Sequence, residues 1–317
     1  MANRRSKVVA VGGGTGLSVL LRGLKTHDID ITAIVTVADD GGSSGRLRNE
    51  LKIPPPGDVR NVLVALSETE PIFEELLQHR FINGNGLSGH SIGNLLLAAM
   101  TDITGDFAQG IRELSGVLNV KGRVLPAANH SIVLNAVMID GTLVEGESNI
   151  PKRHDKIERV FLTPEDIEPL PESIQAIQQA DLIVLGPGSL YTSVLPNLLV
   201  PQLGEAIAKA KARKVYVCNV MTQKGETDNF TASDHLKVLL DYIDLSSIDV
   251  MIVNKRSIPQ HVLDRYALEG AVPVYYDKHK LDDYGIDVMS DDLIKLDDNV
   301  IRHNEQIVAN LLMGLLK

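Results

Sequence analysis

The sequence contains very little cysteine and few aromatic residues. Its 317 residues include one cysteine, seven tyrosines, five phenylalanines and no tryptophan. The single cysteine, Cys218, excludes an internal disulfide and a cysteine-rich zinc site. Cys218 ends the apolar run that starts at Val215, so we expect a buried thiol rather than a nucleophile.

Long apolar runs and basic tracts are also absent. Arg4, Arg5 and Lys7 precede an apolar run, but Gly12 ends that run before the roughly 7–15 apolar residues of a secretion signal are reached. No stretch approaches the ~18 apolar residues of a membrane span. The net charge of -10 argues against a nucleic-acid partner, which needs a basic face. We therefore expect a cytoplasmic protein with no membrane span and no nucleic-acid partner.

What the sequence does contain is an alternation of strand and helix patterns. Lys7–Val11 is a β-branched run that predicts a buried strand, Leu17–Leu24 has helical apolar spacing, and Asp30–Val37 predicts the next strand. A strand, a glycine-rich turn, a helix and a strand form a βαβ unit, which implies a parallel sheet. Further strands are predicted at 123–125, 132–139, 157–162, 181–185, 214–218 and 249–253.

Helical spacing dominates residues 58–119, between the second and third predicted strands. We therefore predict an α/β fold with a Rossmann-like, doubly wound, mostly parallel sheet and an inserted helical block at about 58–119. Residues 1–317 are interpreted as a single α/β domain. In such sheets ligands bind outside the carboxyl ends of the strands.

A glycine-rich segment, Gly12–Gly16, follows the first predicted strand. Glycines let backbone N–H groups approach an anion, and the start of a helix adds partial positive charge. The dinucleotide-binding spacing needs a third glycine where Leu17 stands, and the Walker Gly-Lys-Ser/Thr pattern is absent. The segment is thus either a phosphate loop of another type, which we favour, or a tight turn. NAD is not expected.

Acidic residues follow the second strand. Asp39 and Asp40 can hold Mg²⁺ together with ligand phosphates, accept a ribose hydroxyl, or form an acidic turn. Arg46 can reach a phosphate. Asp58 is expected to be the N-cap of the next helix.

Three more polar segments lie at predicted strand or helix ends. His90 and Asn94 are four apart, so they share a helix face, which suits either ligand contact or a capped helix. Gly186–Ser189 can cradle a second phosphate or a ribose. Asn219–Thr227 is longer than a plain turn needs. The nine histidines contain no H-E-x-x-H pattern, so zinc is not expected.

The segments together resemble one family. The matching strings are Gly12–Gly16, Asp39–Gly45, Pro55–Asn61, Gly89–Ala99, Gly186–Ser193 and Cys218–Thr227. Each string is weak alone, but the ordered set is specific to the gluconeogenesis factor branch of the 2-phospho-L-lactate transferase-like family. That resemblance implies a Rossmann-like fold with a helical addition.

Two functions follow from this resemblance. The first is a regulatory factor that binds a nucleotide diphosphate sugar, such as a UDP-sugar, and is required for bacterial morphogenesis and growth on gluconeogenic carbon sources. The alternative is a Mg²⁺-dependent transferase that moves a phospholactyl-type group from a nucleotide diphosphate carrier. The catalytic residues, the base and sugar preference and any reaction stay open.

The site residues expected from motifs and resemblance fall into two sets. The metal ligands are Asp39 and Asp40. The ligand-binding residues are Gly12, Gly13, Gly14, Thr15, Gly16, Ser43, Ser44, Arg46, His90, Asn94, Gly186, Gly188, Ser189, Asn219, Thr222 and Gln223. A C-terminal apolar stripe that includes Leu312 suits either core packing or a homodimer contact.

Overall fold

The computed structural model describes residues 4–297 and 300–316. Its strands, in chain order, are β1 (Lys7–Gly12), β2 (Asp30–Val35), β3 (Arg123–Pro126), β4 (Val133–Met138), β5 (Leu143–Glu145), β6 (Ile157–Thr163), β7 (Leu182–Leu185), β8 (Arg213–Val217), β9 (Val250–Asn254), β10 (Asp287–Asp291), β11 (Ile294–Asp297) and β12 (Val300–His303).

Thirteen α-helices are present in the described ranges. They are α1 (Gly14–Leu24), α2 (Gly42–Leu51), α3 (Gly57–Leu66), α4 (Pro71–Gln78), α5 (Ile92–Thr104), α6 (Phe107–Val117), α7 (Pro171–Gln178), α8 (Leu195–Leu198), α9 (Leu203–Lys209), α10 (Ala232–Leu240), α11 (Gln260–Leu268), α12 (Lys278–Asp282) and α13 (Glu305–Gly314). A π-helical segment, Leu190–Val194, leads into α8.

Seven strands form a wholly parallel central sheet in the order β10-β9-β8-β7-β1-β2-β3. Chain order reverses between β1 and β7, which is the topological switch point of a doubly wound sheet. The central strands are buried on both faces, and all four residues of β7 are buried. This burial explains their continuous Val, Ile and Leu runs, because helices cover both sides of a parallel sheet. The predicted α/β fold is confirmed.

The helices α2–α6 all lie in the connection between β2 and β3, which are neighbours in the sheet. The expected helical block is thus a long crossover, and it begins earlier than predicted because α2 starts at Gly42. A separate antiparallel sheet has the order β5-β4-β6, and β11 and β12 form a hairpin.

The hydrophobic core continues from the parallel sheet into the smaller one, where Leu134 and Ala136 of β4 are fully buried. At the C-terminal end, α13 packs against α1 and buries Leu312. The packing is tight, because a Cβ on Gly23 of α1 would overlap the carbonyl oxygen of Glu305. The C-terminal apolar stripe thus contributes to the core. The single-domain interpretation and the homodimer stay predictions.

The strand β10 and the hairpin β11–β12 were not predicted. The edge strand β10 contains only two apolar residues, Val288 and Met289, and none of its residues is fully buried. Strand β12 alternates in burial, since Ile301 and His303 are buried while Arg302 is exposed, but in β11 only Ile294 is buried. The period of two is therefore confined to one short strand, which is too little to indicate the hairpin. Among the residues described, no helix combines the length and apolar character that a membrane crossing needs.

Candidate functional site

The main cleft lies at the switch point, outside the carboxyl ends of β1, β7 and β8. It has a volume of about 380 Å³. Most of its walls come from five segments: Gly13–Gly16, Pro187–Ser189, Asn219–Gln223, Ile301–His303 and Tyr266; Val19 and Ser193 complete the lining. The topology thus brings together three of the polar strand ends that the sequence singled out. A C-terminal wall that was not predicted completes the cleft.

The first glycine loop leads directly into helix α1. Gly14 has a φ of 63°, a left-handed conformation that favours glycine. A Cβ on Gly16 would lie 2.5 Å from the carbonyl oxygen of Pro187, so the second loop packs directly against the first. The N-cap residue Gly13 has no side chain to cap α1, and Asp58 accepts a hydrogen bond from the N–H of Gly14 in the first turn. Because the first turn of a helix has N–H groups without internal partners, this end of α1 can receive an anion.

Gly12 and Gly186 lie behind the cleft rather than in its walls. Gly12 is the last residue of β1, and a Cβ there would contact the Cα of Gly186 at 3.8 Å. These two glycines therefore allow close approach of the backbones beneath the two loops. Neither lines the cleft itself.

The second loop carries a chain of side-chain hydrogen bonds. The Ser189 hydroxyl donates to Oε1 of Gln223 at 2.6 Å, and Nε2 of Gln223 donates to Glu226 at 2.5 Å. The backbone N–H of Gly188 donates to Asn219 at 3.3 Å. The Thr222 hydroxyl accepts from the N–H of Val272 at 2.9 Å, which fixes the Asn219–Gln223 wall to the following chain.

The carboxyl of Glu226 is buried behind this loop. Desolvation raises its pKa to about 7, although hydrogen bonds from Thr192, Gln223 and the backbone oppose this rise. The backbone N–H groups of Tyr191 and Thr192, at the start of the π-helical segment, both donate to it. Glu226 therefore occupies the N–H groups that would otherwise make the second loop a phosphate site. Sequence reasoning missed this residue, although it lies inside the Asn219–Thr227 segment.

The C-terminal wall of the cleft contributes Arg302, His303 and Tyr266. Arg302 is exposed, and it is the only formally charged side chain among the residues that line the cleft. The Tyr266 hydroxyl accepts from the N–H of Ile301 at 2.8 Å, which fixes strand β12 to helix α11. These residues come from the unpredicted hairpin and from α11, so no motif indicated them.

His303 has a defined protonation state. Burial lowers its pKa to about 4, so the ring is neutral near pH 7. Its Nε2 lies 3.0 Å from the carbonyl oxygen of Cys218. Because a carbonyl only accepts, Nε2 carries the proton and Nδ1 is an acceptor. Cys218 itself is buried, and burial raises the pKa of its thiol, as expected for a structural cysteine.

A cluster of carboxyl groups lies beside the glycine loop, on the side of the helical block. Asp58 accepts a hydrogen bond from the backbone N–H of Gly14, and a Cβ on Gly13 would lie 2.5 Å from Oδ2 of Asp58. Desolvation and the charge of Asp39 raise the pKa of Asp58 to about 7. Asp58 is therefore not the N-cap that the sequence suggested. Pro56 holds that position, and the carboxylate of Asp58 is directed to the neighbouring loop.

Glu147 belongs to the same cluster, although no sequence pattern indicated it. Desolvation and the charges of Asp39 and Asp58 raise its pKa to about 8. Its chain segment also holds Asp40, because the N–H of Ser148 donates to Oδ1 of Asp40 at 2.8 Å. Three carboxyl groups with raised pKa values therefore lie near the cleft: Asp58, Glu147 and Glu226.

The two predicted metal ligands point in different directions. Oδ1 of Asp39 accepts from the N–H of Gly41 at 2.9 Å, and its Oδ2 lies against Gly57, next to Asp58. Asp40 instead points to Gly146 and Ser148. Within the described ranges no three acidic, histidine or cysteine side chains surround a common point. The two side chains therefore do not form a shared site by themselves; one of them alone could serve an ion that keeps waters and completes its shell with ligand phosphates, as Mg²⁺ does.

The remaining predicted residues lie in the helical block. Ser43 forms a 2.8 Å hydrogen bond with Nδ1 of His90, and Nδ2 of Asn94 donates to Ser43 at 3.1 Å. All three are buried, so they join the start of α2 to α5. The buried Ser44 packs against Gly57, and Arg46 donates to the carbonyl of Ser88 at 2.6 Å. The structure does not bring these five residues into the main cleft.

Comparison with known proteins adds to this geometry. A family model described as 2-phospho-L-lactate transferase CofD matches residues 8–294. A gluconeogenesis factor from Halalkalibacterium halodurans is 63% identical over 310 residues, which cover 98% of this chain and 96% of the relative. A second, from Bacillus subtilis, is 60% identical over 314 residues, with 99% of each chain covered.

A solved structure agrees with these matches. The crystal structure of a upf0052 family member from Bacillus halodurans superposes with a TM-score of 0.96 at 62% identity, covering 98% of this chain and 100% of that one. The family model spans most of the chain, including β1, the glycine loop and the strands of the parallel sheet. The chain therefore belongs to the 2-phospho-L-lactate transferase CofD family.

Proposed function

We propose that this protein is a gluconeogenesis-related factor that binds a nucleotide diphosphate sugar, with UDP-sugars as the first candidates, in the cleft at the switch point. The observation that carries the proposal is that the first turn of α1, where Thr15 and Gly16 present their backbone, and Arg302 line one cleft. The names of the two gluconeogenesis factors support the metabolic part of the proposal. A regulatory role in bacterial morphogenesis and growth on gluconeogenic carbon sources follows from the same resemblance.

In this proposal the diphosphate binds at the first loop. The N–H groups of Thr15 and Gly16 supply donors at the start of α1, where the helix dipole favours an anion. Arg302 lines the same cleft and supplies the only full positive charge among the described residues that line it. A guanidinium can bind two phosphate oxygens at once.

The neutral parts of the ligand contact the rest of the cleft. Ser189, Asn219, Thr222 and Gln223 supply hydroxyl and amide groups, which suit the hydroxyls of ribose and sugar. No ring other than Tyr266 and His303 lines the cleft in the described part of the chain, so it offers little stacking surface for a flat acceptor such as a deazaflavin.

Magnesium is part of the proposal. Asp39 and Asp40 are the ligands expected from the sequence, and the geometry adds Asp58, which lies between Asp39 and the glycine loop. A Mg²⁺ ion held there would neutralise charge on the ligand's phosphates. It would also offset the repulsion between Asp39 and Asp58.

A second candidate function is transfer of a phospholactyl-type group from a nucleotide diphosphate carrier. Two observations favour it: the match to a transferase family and the pKa of Asp58 near 7, which suits a general base. For this function Asp58 would take a proton from an acceptor hydroxyl, while the N–H groups of the first loop would stabilise the phosphate charge.

The binding proposal is tested by calorimetry with UDP-glucose and UDP. We expect the parent to bind both and Gly14→Val to bind neither, because a β-branched residue at positive φ distorts the loop. Gly116→Ala is the matched control, since Gly116 lies in α6 with open space around it. A folded Gly14→Val variant that binds like the parent contradicts the proposal.

The two functions are separated by mass spectrometry. Purified protein is mixed with Mg²⁺, a phospholactyl-guanosine diphosphate donor and a deazaflavin acceptor. The binding function predicts no phospholactyl product. Product at enzymatic rates, lost in Asp58→Asn, establishes the transferase instead.

A further inference from the structure

We propose that Glu226 is a positioning residue that makes Ser189 a hydrogen-bond acceptor, so that the second loop selects a ligand hydroxyl and excludes a phosphate. The inference rests on the proposed function and adds the chemical group that one wall of the cleft recognises. The inference is argued from which atoms donate and which accept in the hydrogen bonds that connect Glu226, Gln223 and Ser189.

The series of hydrogen bonds begins at Glu226, which is buried and accepts from several donors. The Thr192 hydroxyl donates to its two oxygens at 3.2 and 3.4 Å, and the N–H groups of Tyr191 and Thr192 donate as well. Glu226 thus caps the start of the π-helical segment. A carboxylate in that position accepts from whatever else it contacts.

The orientation of Gln223 follows from Glu226. Since a carboxylate accepts, the side chain of Gln223 must present Nε2 to Glu226, at 2.5 Å. Its Oε1 then faces Ser189. The backbone of Gln223 is fixed separately, because its N–H donates to the hydroxyl of Thr227 at 2.9 Å. The amide of Gln223 therefore has one favourable orientation.

The polarity of Ser189 follows from Gln223. An amide oxygen only accepts, so the Ser189 hydroxyl donates its only proton to Oε1 of Gln223, at 2.6 Å. Ser189 Oγ then offers only lone pairs to the cleft that it lines. A ligand group bound there must donate, as a ribose or sugar hydroxyl does and as an ionised phosphate does not.

Two further features exclude a phosphate from this wall. The N–H groups at the start of the π-helical segment are already bonded to Glu226, so they are not available to an anion. Above its pKa of about 7, the carboxylate of Glu226 also places negative charge behind Ser189. At the first loop Asp58 accepts from the N–H of Gly14 only, so anion binding is left to the N–H groups of Thr15 and Gly16 and to Arg302.

The test measures discrimination between a hydroxyl and fluorine. Calorimetry compares UDP-glucose with analogues in which one ribose or glucose hydroxyl at a time is replaced by fluorine, which cannot donate. At the position that faces Ser189 we expect fluorine to weaken binding to the parent about tenfold. Ser189→Ala should abolish this roughly tenfold difference in affinity between UDP-glucose and the fluorinated analogue, at that position only.

The decisive variant is Glu226→Gln. The amide that this change introduces can donate to Gln223, which then turns over and donates to Ser189, so the Ser189 proton becomes free to face the ligand. We expect the fluorinated analogue to bind this variant less than about twofold more weakly than UDP-glucose does. Glu205→Gln, which removes an exposed carboxylate on α9, should keep the parent's difference in affinity. Gln223→Met provides a second route to the same loss if Glu226→Gln folds poorly.

Two results would overturn the inference. One is that the ratio of the Kd for the fluorinated analogue to the Kd for UDP-glucose stays at the parent's value in both Glu226→Gln and Gln223→Met. The other is a parent that binds UDP-glucose but discriminates at no position. A parent that binds neither UDP nor UDP-glucose instead contradicts the proposed function, and that result is known before any variant is compared.

The direction of the hydrogen bonds from Ser189 through Gln223 to Glu226 can also be measured without ligand. In ¹H–¹⁵N NMR spectra, the side-chain amide of Gln223 should give a strongly shifted, slowly exchanging signal that Glu226→Gln displaces and Glu205→Gln does not. An amide signal unaffected by Glu226→Gln contradicts the inference independently of any ligand.

Discussion

His303 donates a hydrogen bond from Nε2 to the carbonyl oxygen of Cys218, at 3.0 Å, and so joins the C-terminal hairpin to the end of strand β8. His303 lines the cleft, and Cys218 directly precedes the Asn219–Gln223 wall. The bond crosses from the last strand of the chain to the central sheet, and it holds Arg302 beside the glycine loop.

Replacing His303 tests this connection. His303→Phe leaves the buried carbonyl of Cys218 without a donor, and we expect the free energy of unfolding to fall by about 1–3 kcal/mol. His303→Gln retains a donor and should recover part of the loss. Chemical denaturation measures both, with His261→Phe at an exposed position of α11 as the control. Equal stability of His303→Phe and the parent contradicts the structural role.

Arg302 should contribute to affinity and little to stability. Arg302→Met removes the single cation of the cleft, so we expect UDP-glucose to bind about 10- to 100-fold more weakly, as for a lost charged hydrogen bond. Raised salt should weaken the parent more than the variant, because salt screens the charge. Arg112→Met, on the exposed surface of α6, is the control. Unchanged affinity in Arg302→Met excludes it from phosphate binding.

The raised pKa of Asp58 predicts how stability depends on pH. Folding raises this pKa from its ordinary value of 3.8 to about 7, so the folded state retains a proton that the unfolded chain releases. Stability therefore falls as pH rises between about 4 and 7, and the cost is complete above pH 7. Asp58→Asn removes this cost, on the order of 2–4 kcal/mol.

Urea denaturation in EDTA at pH 4 and pH 8 measures this effect. Relative to the parent, Asp58→Asn should gain stability at pH 8 and gain little at pH 4. Asp166→Asn, at an exposed position, should show no such difference. A gain of the same size at both pH values shows that Asp58 does not titrate as described.

Magnesium should strengthen nucleotide binding through the carboxylates beside the loop. We expect EDTA to weaken UDP-glucose binding to the parent, and the double change Asp39→Asn, Asp40→Asn to remove this sensitivity. Asp39→Asn alone should have the larger effect, because Asp40 points to Ser148 and away from Asp58. Binding by the parent that is indifferent to EDTA excludes the metal.

Much of the fold could be predicted because its signals are local. The runs of Val and Ile in β1 and β7 are buried on both faces, so composition alone indicates a parallel sheet. Polar loops after those strands then indicate the cleft, since parallel strands direct their carboxyl ends to one edge.

The unpredicted parts of the site depend on distant contacts. Arg302 reaches the cleft only because His303 bonds to Cys218 and Tyr266 supports Ile301. The pattern His90-x-x-x-Asn94 did predict a shared helix face, but only the tertiary structure shows that this face meets Ser43 in the interior. Spacing along a helix determines which side chains share a face, whereas tertiary packing determines what that face contacts.

The position of the C-terminal hairpin has a consequence for the order of events during synthesis. The first loop leaves the ribosome well before strand β12 and helix α13, which packs on α1, because most of the described strands and helices lie between them in the sequence. Contacts between such distant segments are slow to form, because a long loop must close first. A nascent chain can therefore assemble most of its sheet before it has a complete pocket, so ligand is retained only by chains whose translation has reached the hairpin.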